Sequence, residues 1–105
     1  MSDQEFSVTE DTSDPAVRRL FVKGRVTSTT ADVLQYSLDE AVGEGKGRVV
    51  VNMQSVLFLS SAGIRILLMC LKKAKGGGGS FFVERPSENV KNVLGMTALD
   101  ELLLK

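Results

Sequence analysis

Residues 56–68 constrain the fold most strongly, because within them a strand-like pattern gives way to a helix-like one at two serines. The apolar run 56–59 ends in Ser60 and Ser61. Beyond Gly63, apolar residues recur at helical spacing. The start of a helix favours small hydroxyl residues and carries partial positive charge, so a hydroxyl at Ser61 can cap the helix, meet an anion or accept a phosphoryl group.

The rest of the chain also alternates between strand-like and helix-like segments. Three consecutive valines at 49–51 are typical of a strand covered on both faces, and glycines follow each of the first two predicted helices. This alternation predicts an α/β domain with parallel crossovers and an antiparallel edge. The predicted elements are a strand over 17–26, a helix from the 27–30 cluster to about 44, a strand over 48–53, a second apolar run over 56–59, a helix over 62–75, a strand over 80–84, a helix opened by Pro86 and Ser87, and a short helix over about 98–104.

Charge divides the chain into two segments. Residues 1–16 carry five acidic residues and no basic one, and we interpret them as an acidic arm in which 6–8 can add a short edge strand. Residues 17–105 form the predicted globular domain, with a scattered excess of five positive charges. That excess is too small and too scattered to predict a surface that binds nucleic acid.

Missing residue types exclude several classes of function. The chain has no histidine, which removes Ser-His dyads and imidazole metal sites, and we expect no enzyme activity, metal or cofactor. The chain has one cysteine, Cys70, so it cannot form an intrachain disulfide. We expect Cys70 to act as a small apolar residue of its helix. The sequence shows neither an apolar stretch of bilayer length nor the pattern of a signal peptide, so we predict a cytoplasmic protein without direct membrane insertion.

Two glycine-rich segments do not fit a phosphate-binding loop. In residues 76–79 the lysine precedes the glycines and a strand follows, and in 43–47 Lys46 is followed by glycine and then by a strand. A phosphate loop requires Lys-Ser or Lys-Thr opening a helix. Both segments are therefore predicted to be turns.

The helix over 62–75 carries two apolar stripes. A helix that is apolar on two sides is either buried on both or presents one side to a partner, and the sequence leaves both options open. The expected core stripe comprises Ile64, Leu67, Leu68 and Leu71, and the second stripe comprises Ile66, Met69 and Cys70.

The order of these motifs resembles the STAS domain family of sulfate transporters and anti-sigma factor antagonists. The resemblance is carried by 50–53, by 56–64, by 24–26 with Thr29, Thr30 and Ala31, by the glycine turn before 81–83, by Pro86 with Ser87, and by the ending 93–100. It implies a single STAS-like domain with a central, mixed, mostly parallel sheet of four to five strands and about four α-helices.

The resemblance also implies partner switching by an anti-sigma factor antagonist. The dephosphorylated domain would bind an anti-sigma factor or serine kinase, phosphorylation of Ser61 would end binding, and a serine phosphatase would restore it. Ser60 is the alternative phosphoacceptor. The implied partner-binding residues are Thr27, Ser28, Ser60, Ser61, Ala62, Gly63, Arg65, Ile66 and Met69.

Two positions depart from the family pattern. Thr27 and Ser60 stand where the family commonly has Asp, which makes the surroundings of Ser61 less acidic. These departures favour an alternative function, a non-phosphorylated STAS accessory subunit of a membrane lipid-transport complex or of another signalling assembly.

Overall fold

The computed structural model describes residues 6–104, in which strands and helices alternate along most of the chain. The elements are β1 (Ser7–Asp11), β2 (Arg18–Val26), α1 (Ala31–Val42), β3 (Arg48–Leu59), α2 (Ser61–Gly77), β4 (Ser80–Glu84), α3 (Glu88–Met96) and α4 (Asp100–Leu103).

The strands form a mixed sheet in the order β1-β2-β3-β4. β1 pairs antiparallel with β2, whereas β2 with β3 and β3 with β4 are parallel. This confirms the predicted α/β fold with its mostly parallel sheet. The edge strand expected within 6–8 lies over Ser7–Asp11, and the boundary between arm and domain at residue 17 stays a prediction.

The two apolar runs over 48–53 and 56–59 are not separate elements, because β3 passes through both as one strand of 12 residues. The register with β2 shifts twice, between Phe21 and Lys23 and between Gly24 and Arg25. At each shift β3 contributes one residue more than β2. These irregularities accommodate the exposed polar residues Gln54 and Ser55 without ending the strand.

The core lies between one face of the sheet and the helices. Leu20, Val22 and Val26 of β2 point into it, while the alternating residues Phe21, Lys23 and Arg25 are exposed. The core sides of the helices are supplied by Leu34 and Leu38, by Leu67, by Val90 and Leu94, and by Leu103.

The central valines of β3 are buried, as predicted, and they divide between the two faces of the sheet. Val49 and Val51 belong to the core cluster, and Val50 lies on the opposite face. Arg19 and Phe82 flank Val50 in register on the neighbouring strands. Side chains of the sheet itself therefore shield this valine.

The last predicted helix is shorter than expected. Ala98 has φ +60°, in the left-handed region, so the chain turns between α3 and α4 and the final helix spans only Asp100–Leu103. Within residues 6–104, the structure holds no helix with the length and apolar composition needed to cross a membrane.

Candidate functional site

The site is built where α1 and α2 begin, at the carboxyl edge of β2 and β3. Val26 pairs with Leu59 at the ends of these two parallel strands, and the Ser60 N–H donates to the Val26 carbonyl at 3.0 Å. Thr27 and Ser60, which directly follow the strands, are therefore brought together. The sequence places them 33 positions apart, and only the parallel pairing makes them neighbours.

The two serines at the start of α2 have different roles. Ser60 adopts an extended conformation and its Oγ accepts a hydrogen bond from the Gly63 N–H at 3.3 Å, so Ser60 is the N-cap. Ser61 is the first helical residue and is exposed. Among the described residues none forms a hydrogen bond with its Oγ. Ser61 is thus not the capping residue, and its hydroxyl is accessible.

The surroundings of Ser61 favour negative charge. The first turn of α2 contains no acidic residue, and Arg65 lies one turn further along and is exposed. The amino end of a helix carries about half a positive elementary charge. A phosphoryl group on Ser61 would meet this field and the guanidinium of Arg65, four residues on along the helix surface.

Threonines fix the chain at the start of α1. Thr27 Oγ1 accepts hydrogen bonds from the N–H groups of Thr29 and Thr30, at 3.2 and 3.4 Å. Thr30 Oγ1 accepts from the Thr27 N–H at 2.9 Å and donates to the Arg25 carbonyl at 2.7 Å. A shallow pocket of about 260 Å³ lies here, lined by Arg25, Thr27, Thr29 and Thr30. Thr27 therefore holds the turn that precedes α1, whose N-cap is Thr30.

Asn89 of α3 also supports the site, and sequence reasoning missed it. Its Oδ1 accepts a hydrogen bond from the Leu59 N–H at 3.0 Å, which fixes the last residue of β3 next to Ser60. Asn89 follows the cap of α3, Ser87, whose Oγ accepts from the Val90 N–H at 3.2 Å. An asparagine two residues after a helix cap is an ordinary pattern, so the sequence held no signal for this long-range contact.

Gly63 packs in the interior and does not present a surface. An added Cβ would lie 2.5 Å from Leu59 Cδ1 and 2.8 Å from Val26 Cγ1, both closer than atoms can approach. The absence of a side chain lets α2 start close against the ends of β2 and β3. Gly63 therefore has a packing role, and its contact with a partner stays a prediction.

Two of the three residues in the second apolar stripe of α2 are buried, which answers for them the question that the sequence left open. Ile66 and Cys70 are 5% and 2% exposed and belong to the core, so Ile66 offers little surface, and its contact with a partner stays a prediction. Met69 is 50% exposed, while Ile64 and Leu68, assigned to the core, are only half-buried. The helix packs against α1 as well as the sheet, so its buried side differs from the predicted one.

Cys70 is an interior thiol and not a reactive one. Burial, and to a lesser extent the negative charge of Asp39 on α1, raises the pKa of Cys70 to about 12. Thiolate chemistry at neutral pH is therefore suppressed. Within the described part of the chain, no group of three or more His, Cys, Asp or Glu side chains could hold a metal ion.

The remaining predicted residues lie at the same edge or on the outer side of α2. Ser28 and Arg65 are exposed and Ala62 is half-buried. Lys72 shares the outer side with Ser61, which sequence reasoning did not point out. Its spacing of 11 residues from Ser61, three helical turns, could have revealed it.

Comparison with known proteins shows the family. Residues 9–105 match the family model described as "Mlab, STAS domain". A putative anti-sigma factor antagonist of Thermotoga maritima is 26% identical over 69 residues, which cover 66% of this chain and 61% of that protein. The alignment thus spans less than two thirds of the relative's length.

Solved structures share the fold. An anti-sigma factor antagonist from Mycobacterium paratuberculosis superposes with a TM-score of 0.83 at 22% identity, covering 97% of this chain and 86% of that one. The Bacillus cell fate determinant SpoIIAA, solved in its phosphorylated form, superposes with a TM-score of 0.71 at 13% identity, covering 93% of this chain and 89% of that one.

Proposed function

This chain belongs to the STAS domain family, and we propose that it acts as an anti-sigma factor antagonist by partner switching. In its dephosphorylated state the domain binds an anti-sigma factor or serine kinase. Phosphorylation of Ser61 ends that binding, and a serine phosphatase restores it. The domain is a ligand and a substrate in this proposal, and it catalyses no reaction itself.

The accessible hydroxyl of Ser61 is the observation that carries the proposal. Ser60 already caps α2, so a kinase can modify Ser61 without removing the cap. A phosphoserine brings about −1.5 to −2 charges at neutral pH. At the amino end of α2 that charge is stabilised by roughly 0.3 to 1 kcal/mol, so the fold survives phosphorylation.

The same charge is unfavourable inside an interface. Burying it against an apolar or acidic partner costs several kcal/mol of desolvation and repulsion. Since each 1.4 kcal/mol changes an affinity tenfold, a cost of about 3 kcal/mol lowers the affinity roughly a hundredfold. A switch requires both properties: the free domain must tolerate the phosphate, and the complex must be weakened by it.

Substitutions at Ser61 test the proposal. Intact mass of the protein isolated from its native cells should show a phosphorylated species that is absent from Ser61→Ala. In affinity capture, Ser61→Ala should retain the anti-sigma factor and Ser61→Asp should lose it. Asn92→Asp adds the same charge at an exposed position on α3 and should behave as wild type. Recovery of the same partners by Ser61→Ala and Ser61→Asp would rule out a charge switch.

Thr27 and Ser60 favour a second candidate, a non-phosphorylated accessory subunit of a membrane lipid-transport complex. Both residues replace carboxylates of the family pattern by hydroxyls that accept backbone hydrogen bonds, Thr27 in the turn before α1 and Ser60 as the cap of α2. This candidate predicts co-purification with an ATP-binding cassette protein and no phosphorylated species. A soluble kinase-like ATPase as the sole partner would reject it.

A further inference from the structure

We propose that the outer side of α2 is a basic docking face that recognises an acidic segment of a protein partner. The basic face consists of Arg65, Met69, Lys72 and Lys75, with Leu68 half-buried between them. The proposal rests on the proposed function, because Ser61 stands at the head of this face. It adds the chemistry of the partner to that function.

Helical spacing places these residues on one side. Counted from Ser61, Arg65 lies four residues on, Leu68 seven and Lys72 eleven, which is the repeat of a single helix face. Ser61, Arg65, Lys72 and Lys75 are all exposed. The face therefore runs along nearly the whole of α2, a surface matched in length to a partner helix or extended segment.

The charge of the face is uncompensated along α2 itself. The helix contains no Asp or Glu between Ser61 and Gly77. The ion pairs found among residues 6–104 join Arg18 to Glu10, Arg19 to Glu84, Lys46 to Glu44 and Lys91 to Glu88, and none includes a residue of the face. Lys73 is excluded from the face because it lies on the side of Asp39, with Cys70 near both.

The apolar content of the face is typical of a protein interface. Met69 is 50% exposed at the border of the face, one turn beyond Arg65, and it adds a small adaptable apolar contact to the cations. A membrane-surface helix would instead insert a broad apolar side into the lipid. In α2 that side, including Ile66, Leu67 and Cys70, is buried in the core.

Phosphorylation of Ser61 acts on this face directly. A dianionic group at its head neutralises part of the positive field and faces the acidic residues of the bound segment. The basic face thereby explains how one modification at the end of α2 can weaken contacts along the helix.

Site-specific photocrosslinking tests the proposal. Full-length protein carrying Ser61→Ala is produced in its native cells with p-benzoylphenylalanine in place of Met69 or, separately, of Lys75. The control position is Met96 on α3, which is 81% exposed. The expected product is an adduct, at Met69 or Lys75 and not at Met96, with a protein segment that carries an excess of Asp and Glu. No protein adduct at either position, or adducts with lipid or nucleic acid only, would overturn the proposal.

Binding of a synthetic peptide of the captured segment then measures how the affinity depends on the charge of the basic face. The double variant Arg65→Glu/Lys72→Glu should bind the peptide at least about tenfold more weakly than wild type. Lys46→Glu/Lys91→Glu makes the same change of net charge at exposed positions and should stay within about twofold. Equal affinities for the two double variants would overturn the docking face. Unchanged capture by Ser61→Asp would instead refute the Ser61 switch and leave the docking face standing.

Discussion

The helices α1 and α2 begin at the same edge of the sheet in different ways. At α1, the hydroxyls of Thr27 and Thr30 are both held by backbone groups of the same turn. At α2, Ser60 alone caps the helix, and the neighbouring hydroxyl of Ser61 is exposed. The two hydroxyls that hold the turn at α1 are engaged, although Ser28 and Thr29 beside them are exposed, whereas at α2 the exposed hydroxyl directly follows the cap.

The difference shows how a chain can separate stability from regulation. At α2 the cap and the candidate modification site are adjacent residues, so a change at Ser61 leaves the capping hydrogen bond in place. At α1 a change of either threonine removes hydrogen bonds that hold the turn.

The largest expected effect is a loss of folding stability at alkaline pH, caused by Cys70 of α2. Its thiol, 2% exposed, has a pKa raised from 9.0 to about 12 by burial and secondarily by Asp39 of α1. Because the folded state favours the protonated thiol, this contribution to stability is complete below pH 9 and is lost as pH rises toward 12. The loss reaches about 4 kcal/mol at most.

Urea unfolding at pH 8 to 11 measures this effect. The Cys70→Ala variant should show a flatter decline in unfolding free energy than wild type, whatever packing it loses at every pH. Parallel declines would mean that the thiol does not titrate differently in the folded state.

The close start of α2 should make Gly63→Ala destabilising by about 1 to 3 kcal/mol, since the added methyl overlaps Leu59 and Val26. At α1 the corresponding inward residue is already an alanine, Ala31, which is 6% exposed. Gly76→Ala is the matched control in α2, because nothing lies within 4 Å of its added Cβ. Equal unfolding free energies of the two variants would contradict the packing role of Gly63.

Removing the hydroxyl of Thr30 should destabilise the start of α1 by about 1 to 2 kcal/mol. Thr30→Val leaves the Arg25 carbonyl and the Thr27 N–H without their side-chain partner. Thr29→Val alters an exposed side chain in the same turn and should change stability less. Thermal or urea unfolding of both variants measures the difference, and equal values would show that water replaces these hydrogen bonds.

At the start of α2, alanine substitutions of the two serines should differ by about 1 kcal/mol in unfolding free energy. Ser60→Ala removes the hydrogen bond to the Gly63 N–H and should cost about that amount. Ser61→Ala should stay within a few tenths of a kcal/mol of wild type, because Ser61 is exposed and does not cap. The reverse order in urea unfolding would assign the cap to Ser61.

The smallest expected effect is a stabilisation. Ser61→Asp places a negative charge at the amino end of α2 and should raise the unfolding free energy by about 0.3 to 1 kcal/mol at low salt. Salt near 1 M should abolish the gain by screening. Asn92→Asp, in the middle of α3, should show no such gain. Destabilisation by Ser61→Asp would show that α2 does not tolerate phosphorylation.

Sequence patterns predicted the elements well where the pattern is local. The strand over 80–84 coincides with β4, and Ser87 caps α3 as its position before the helix indicated. The patterns failed where distant neighbours decide. The division of α2 into stripes left open whether Ile66 faces a partner or the interior, and the tertiary structure buries it in the core. Ala98 adopts a left-handed conformation that its residue type does not favour, which shortened the last helix.

The sequence by itself determined the alternation of strands and helices and placed two serines at the start of α2, because periodicity and capping preferences act over a few residues. The tertiary structure decided which serine caps and which side of α2 is exposed. The hydrogen bond from Ser60 to Val26 and the packing of Gly63 on Leu59 fix the first. The contact with α1 and the sheet fixes the second, and that contact depends on residues far apart in the chain.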